Sequence, residues 1–177
     1  VDIARIALEV GRLGNRTVAM PRISAAIITY NRAHFLVDAI TSILGQTTRD
    51  LELIVIDDGS TDDTPDVVAP YLDRIRYVHQ PNRGKAAARN AAVELADGEL
   101  IAFCDSDDSW YPDRLERQLA AFADTPDAGM VHGHIAVTDE KGRLLPDRTA
   151  ETCEILSAAH DGGATYASYA IENRCFS

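Results

Sequence analysis

Leu100-Ile101-Ala102-Phe103-Cys104-Asp105-Ser106-Asp107-Asp108 changes character abruptly at Asp105. Its five apolar residues are too few for a helix and predict a strand buried on both faces, after which three carboxylates fall within four positions. Packing supplies no reason for so much negative charge at the end of a core strand. Carboxylates that close repel, and each holds its proton more tightly unless a cation stands between them. A hard divalent ion such as Mg²⁺ or Mn²⁺ relieves the repulsion, taking one or two carboxylates and completing its shell with phosphate oxygens. The same residues also fit a solvated acidic turn that caps the next helix, so the neighbouring elements have to decide.

Working outward, a strand followed by a polar turn recurs. Ile23 to Ile28 predicts a short apolar strand ending at Thr29-Tyr30-Asn31-Arg32, on which a chain can turn. From Phe35 to Gln46, residues Leu36, Ile40, Ile43 and Leu44 repeat at helical spacing. Leu51 to Ile56 is the second strand. It runs into Asp57-Asp58-Gly59-Ser60-Thr61-Asp62-Asp63, whose side chains can cap a helix carrying Val67, Val68 and Leu72. A third strand, Ile75 to His79, leads through Gln80-Pro81-Asn82-Arg83-Gly84 into an alanine-rich helix from Lys85 to Ala96, stopped by Asp97-Gly98. Pro112 suits the first turn of a further helix in which Leu115, Leu119 and Phe122 share a face.

The flanks are less regular. Val1 to Met20 sets Ile3, Ile6, Ala7, Val10 and Leu13 at helical spacing, as in a docking helix or a plain lead-in. Met130 to Val137 alternates like a strand and puts His132 and His134 two apart on one face. They are either satisfied beside the core or ligands, and no third ligand sits at a recognisable spacing. Beyond Arg143 the one feature is a short helical run from Leu156 to His160.

Strands that alternate with helices and are apolar throughout predict an α/β fold with an open, mostly parallel sheet covered on both faces. In such sheets the ligand lies beyond the carboxyl ends of the strands. Tyr30-Asn31, Asp57-Asp58 and Asp105-Ser106-Asp107 each follow directly on a strand, so one rim should gather them into a single cleft. The 177 residues suffice for a domain with a real core, and the net charge of −11 argues against non-specific binding to nucleic acid or anionic lipid. A phosphate-bearing ligand would therefore need local help from a metal, an arginine or a helix N-terminus. Three cysteines (Cys104, Cys153 and Cys175) in no metal-ligand spacing point to a reducing compartment. No apolar run approaches the length of a membrane span and no secretory pattern opens the chain, so the expected location is the cytoplasm, with peripheral attachment at the inner membrane face left open.

Four ordered motifs resemble the family-2 inverting glycosyltransferases of the GT-A fold. They are Ile28-Thr29-Tyr30-Asn31-Arg32, then Val55-Ile56-Asp57-Asp58-Gly59-Ser60-Thr61-Asp62, then Asn82-Arg83-Gly84 with Ala88-Arg89-Asn90, and then Phe103-Cys104-Asp105-Ser106-Asp107-Asp108. The resemblance runs from about Ile23 to Val137. It implies a Rossmann-like nucleotide-sugar-binding domain over residues 21–140, with 1–20 a lead-in and 141–177 the start of an acceptor-side region. The implied activity is inverting transfer of a sugar from a nucleotide-sugar, a UDP-sugar in the first instance, to a saccharide, lipid or protein acceptor, with Mn²⁺ or Mg²⁺ as cofactor.

By position, the resemblance implies that Thr29, Tyr30 and Asn31 line the nucleotide, with Tyr30 against the base, while Asp58 accepts from a uracil-like edge and Asp57 orients the turn. It implies that Gly84 and Lys85 pass near the nucleotide and that Arg89 anchors this segment or approaches phosphate. Asp105 and Asp107 resemble the Asp-x-Asp metal pair, Asp107 coordinating directly and Asp105 through ribose or water; Asp108 and Trp110 would border the sugar or acceptor. Chemistry is consistent with these roles, since a carboxylate accepts an imide N–H well and an aromatic face stacks on any base. Each residue also has a plain reading: Asp58 to Asp63 as a capping turn, Arg89 paired with Glu94 or Asp97, Trp110 as core.

Direct displacement with inversion needs a general base for the acceptor hydroxyl. In the resembled family that base is an acid well after the Asp-x-Asp pair, and Asp147, Glu151, Glu154, Asp161 and Glu172 do not stand in such a setting. The expectation is a truncated transferase that holds the donor site, its base lying beyond Ser177. Competing classes are a catalytically silent nucleotide-binding or interaction remnant of the same fold and an Asp-x-Asp phosphatase. A dinucleotide-dependent oxidoreductase is disfavoured because Thr29-Tyr30-Asn31-Arg32 carries no glycine-rich turn.

Overall fold

Seven consecutive apolar or small residues, Ile23–Thr29, form β1, and all are buried. β1 is central in a four-stranded sheet with β2 (Leu51–Asp57) on one side, β4 (Leu100–Asp105) on the other and β3 (Arg76–His79) beyond β2. All pairings in this sheet are parallel. The structure, a computed structural model, describes residues 23–125, 128–139, 143–147 and 166–176. The expected helices at Val1 to Met20 and Leu156 to His160 lie outside the described residues.

Helices cover both faces of the sheet. On one, Leu36, Ala39, Ile40 and Ile43 of α1 (Ala33–Leu44) cluster with Ile23, Ala25 and Ile27 of β1 and with Leu53 and Val55 of β2. On the other, Ala88 and Ala92 of α3 (Lys85–Leu95) sit against Ala26, Ile28, Ile54 and Ile56. The alternation of neighbours along each strand is the period of two that divides one apolar strand between two layers. Small residues on α3 let its axis come close to the sheet.

Two expectations are modified, and a third is borne out within a sheet of its own. The β4 strand is not buried on both faces: it pairs within its sheet only with β1, and as the edge strand leaves Ile101 37% exposed. The helix expected to reach Leu72 is α2 (Thr64–Val68), which tightens into a single 3₁₀ turn over Ala69–Tyr71 and leaves Leu72 exposed. Pro70 lacks the N–H that an α-helix would need there. The strand-like segment becomes β6 (Met130–Thr138), which lies parallel to β7 (Tyr166–Phe176). With β5 (Asp108–Trp110), antiparallel to β7, it makes a second sheet of order β5-β7-β6 that the sequence pattern did not show.

Between the sheets, α4 (Arg114–Asp124) adds Leu115 to the core. Its start is fixed by the buried Gln46, whose Oε1 accepts from Leu115 N at 3.1 Å while Nε2 donates to the Tyr111 carbonyl at 2.8 Å. At the amino ends of the strands, Glu52 accepts from Ser24 Oγ and Asp97 N, and Arg76 bonds the Leu95 carbonyl and Asp97, closing the lower rim. No helix among the described residues is long and apolar enough to cross a membrane.

Candidate functional site

Register decides what meets at the upper rim. Thr29 is level with Asp57, Asp57 with His79, and Asp105 with Ile28, so the segments after β1, β2, β3 and β4 leave the sheet side by side. The first two loops are tied together. Asn31 N donates to Ser60 Oγ at 2.9 Å, Thr61 N to Asn31 Oδ1 at 2.8 Å, and Ala33 N to Asp62 Oδ2 at 3.1 Å. Asn31 has φ +53°, a left-handed conformation that asparagine tolerates better than most residues. Thr29 is buried below this brace, whereas Tyr30 is 49% exposed above it.

The two adjacent acids of the second loop face different ways. Asp57 is fully buried and accepts from Ser60 N at 2.8 Å, Tyr77 OH at 2.6 Å and His79 Nδ1 at 3.0 Å. It therefore orients the turn. Burial acts to raise its carboxyl pKa, but the hydrogen bonds from Ser60, Tyr77 and His79 outweigh it and hold the group below its usual 3.8. Burial, and then the bond to Asp57, push the Tyr77 phenol upward, so it stays protonated as the donor. A carboxyl depressed by folding contributes stability that is complete above its unfolded value and is lost as pH falls through its folded value. The stability deficit of Asp57→Asn should thus be full at neutral pH and shrink below about pH 3.8, as urea melts across pH 3 to 7 would show. A deficit unchanged over that range would mean that Asp57 acts through shape alone.

Asp58, 3% exposed, binds the loop after β3. Its Oδ1 accepts from Gln80 Nε2 at 2.7 Å and Arg83 N at 3.0 Å, and its Oδ2 from Gly84 N at 2.8 Å. Gly84 has φ +87° and opens α3, so the next residue, Lys85, emerges beside the rim. Lys85 Nζ lies 2.8 Å from Asp105 Oδ2, and Arg89 Nη2, one turn further along α3, lies 3.2 Å from Asp105 Oδ1. The Arg89 guanidinium also sits over the Phe103 ring, 5.6 Å from its centre. Asp58, Gly84, Lys85, Arg89 and Asp105 thus form one connected set.

The rest of the acidic motif divides. Ser106 and Asp107 form the turn after β4, and Asp108 already belongs to β5. The side chain of Asp107 makes no hydrogen bond or ion pair among the described residues. Trp110 is 5% exposed, a member of the main core cluster, with the Arg114 guanidinium 3.9 Å from its ring centre. That position is the packing one rather than an open wall of the cleft.

Among the described residues no group of three or more His, Cys, Asp or Glu side chains is arranged to hold a metal unaided. What the rim does offer suits a hard cation that draws most of its ligands from a phosphate, because Asp107 presents carboxylate oxygens that no group among the described residues engages. Gln80, missing from the sequence-based set, is a functional candidate through its grip on Asp58. The signal for it was its place, a polar residue directly after β3 on the ligand side of the sheet.

This architecture is the open α/β sheet of the GT-A type. A family model described as "Glycosyl transferase family 2" matches residues 24–168, and the chain belongs to that family. An uncharacterized glycosyltransferase of Nostoc sp. is 37% identical over 134 residues, which are 73% of this chain and 41% of that protein. The putative glycosyltransferase EpsH of Bacillus subtilis is 33% identical over 79% of this chain and 41% of its own length. The crystal structure of S. aureus TarS 1-349 superposes with a TM-score of 0.58 at 27% identity, covering 71% of this chain and 38% of that one. TarS 1-349 in complex with UDP-GlcNAc matches with a TM-score of 0.56 at 28% identity over 71% and 37%. The chain thus spans about two fifths of the length of these relatives.

Proposed function

We propose that this chain carries the donor site of an inverting glycosyltransferase that uses a UDP-linked sugar and a divalent cation. The observation that supports this most is the continuous link from Asp58 through Gly84 and Lys85 to Asp105, which holds a base-side acid and a phosphate-side acid in one fixed frame. The likeness to a structure solved with UDP-GlcNAc supports the choice of nucleotide.

In this reading Tyr30 stacks on the base, and Asp58 offers the imide N–H the remaining acceptor capacity of Oδ2. Thr29 and Asn31 hold the first loop in place, and Asp105, fixed by Lys85 and Arg89, stands where the ribose meets the diphosphate. Asp107 is the carboxylate that takes the cation, with Asp105 behind it, and Asp108 borders the sugar. A cation bound there would neutralise charge on the departing diphosphate. The acceptor hydroxyl attacks the anomeric carbon from the face opposite the diphosphate, and its proton goes to a general base outside this set of donor-site residues. Residues 21–140 form the donor unit in this reading, and 141–177 begin the acceptor side.

Calorimetric titration with UDP, with Mn²⁺ and with EDTA, tests the assignment. Mn²⁺ should tighten UDP binding to the wild-type chain by about tenfold or more, and should have little effect on Asp107→Ala. Equal enhancement in both proteins would move the cation away from Asp107. CDP should bind more weakly than UDP, because cytosine has no imide N–H to give Asp58.

A further inference from the structure

On that donor-site reading, we propose that His79 is a positioning residue for the nucleotide. It sets the loop that carries Tyr30, acting through Asp57, Ser60 and Asn31 without touching the ligand.

The observation begins at the side of the sheet. β3 pairs within its sheet only with β2, and His79 is its last residue. The end of an edge strand is where a sheet frays most readily, and its side chain usually goes to water. Half of the His79 side chain, 51%, is indeed exposed, yet its ring is tied inward: Nδ1 lies 3.0 Å from Oδ2 of the fully buried Asp57. Asp57 is held below its usual 3.8, so at neutral pH its carboxylate only accepts, which puts the ring proton on Nδ1.

From that carboxylate the contacts run to the first loop. Ser60 grips Asp57 with its backbone N–H, 2.8 Å from Oδ1, and with its side chain. Ser60 Oγ in turn accepts from Asn31 N at 2.9 Å, and Asn31 Oδ1 accepts from Thr61 N. Tyr30 stands on this brace. Ser60 and Tyr77 each hold one oxygen of Asp57, which leaves the carboxylate free to roll about the line between them. The third donor, His79, removes that freedom. The next residue, Gln80, faces the other way and does the same for Asp58, so β3 ends by clamping both acids of the second loop.

The test compares wild type with His79→Leu, His79→Gln and His79→Asn by calorimetric titration with UDP and Mn²⁺. Asparagine carries an Nδ2 donor where the imidazole has Nδ1, leucine has no donor, and glutamine places its own one bond further out. The leucine and glutamine variants should bind UDP about fivefold more weakly, and the asparagine variant within about twofold of wild type. Amide proton–nitrogen spectra without ligand should show the Ser60 and Asn31 signals displaced in the first two variants and restored in the third. The signals of Asp97 and Gly98, at the opposite rim, should not move. Should the leucine variant fail to fold, the glutamine variant carries the comparison. Leucine and glutamine variants that bind as wild type does, an asparagine variant as weak as those two, or unmoved Ser60 and Asn31 signals would each overturn the role of His79 and leave the donor site standing. Failure of wild type to bind UDP overturns the donor-site reading itself, whatever the amide signals show.

Discussion

Asp58→Ala should abolish measurable UDP binding and lower the unfolding free energy by about 2 to 3 kcal/mol. The carboxylate is almost wholly buried and holds three donors at once: Gln80 Nε2, Arg83 N and Gly84 N. Removing it strands those groups, and a stranded buried donor costs about 1 to 3 kcal/mol. Arg83 and Gly84 are exposed, so water reaches their N–H groups and the total stays well below three full penalties. Binding suffers more than stability because Gly84 and Lys85 lose the anchor that sets them against Asp105. Asp58→Asn separates the two effects: it keeps the shape and an acceptor for two donors, yet turns an NH₂ toward Gly84 N. Its stability cost should be about 1 to 2 kcal/mol, while UDP binding should still fall at least about tenfold. Chemical melts and calorimetry of both variants decide the matter, and an Ala variant that binds UDP within about threefold of wild type would remove Asp58 from the site.

The contrast between Asp57 and Asp58 shows how far the sequence could be read. That two acids ended a strand was plain, and so was the rim on which they stand, because Leu53 to Ile56 has no room for any other reading. Which acid faces inward depends on the parity of the strand, and that alone sends Asp57 to the α1 face beside Tyr77 and His79. Their hydrogen bonds come from a strand whose pairing partner the sequence does not state. The position of Lys85 was legible in the same way, but its bond to Asp105 depends on the depth at which α3 rides on the sheet, set by Ala88 and Ala92. Trp110 illustrates the opposite case. A tryptophan next to an acidic motif suggested the cleft, but β5 turns it down onto α1, where its backbone N–H donates to Ser42 Oγ at 3.0 Å. Edge status was invisible too: nothing in Leu100 to Cys104 says that one side of β4 lacks a neighbour in its sheet.

Gly59→Ala should destabilise the chain by about 3 kcal/mol and weaken nucleotide binding, although the residue offers no side chain to either. Two costs combine. Gly59 has φ +85°, where any Cβ meets its own backbone, a strain of about 1 to 2 kcal/mol. A Cβ there would also stand 2.7 Å from Asn82 N and 3.1 Å from Asn82 Cβ, and a backbone nitrogen cannot rotate aside. Relief requires that Asn82 move. Its neighbours Arg83 and Gly84 carry the N–H groups that hold Asp58, so the displacement passes directly into the candidate site. Gly84→Ala is the control, because Gly84 has a similar φ of +87° and nothing within 4 Å of its ideal Cβ. It should therefore show the conformational cost alone, about 1 to 2 kcal/mol, with the remainder of the Gly59 effect being the collision. Urea melts of the two variants measure that difference. If both lose the same stability, the close approach of the second and third loops contributes nothing; if Gly59→Ala loses more and binds UDP less well, their contact sets the spacing of the rim.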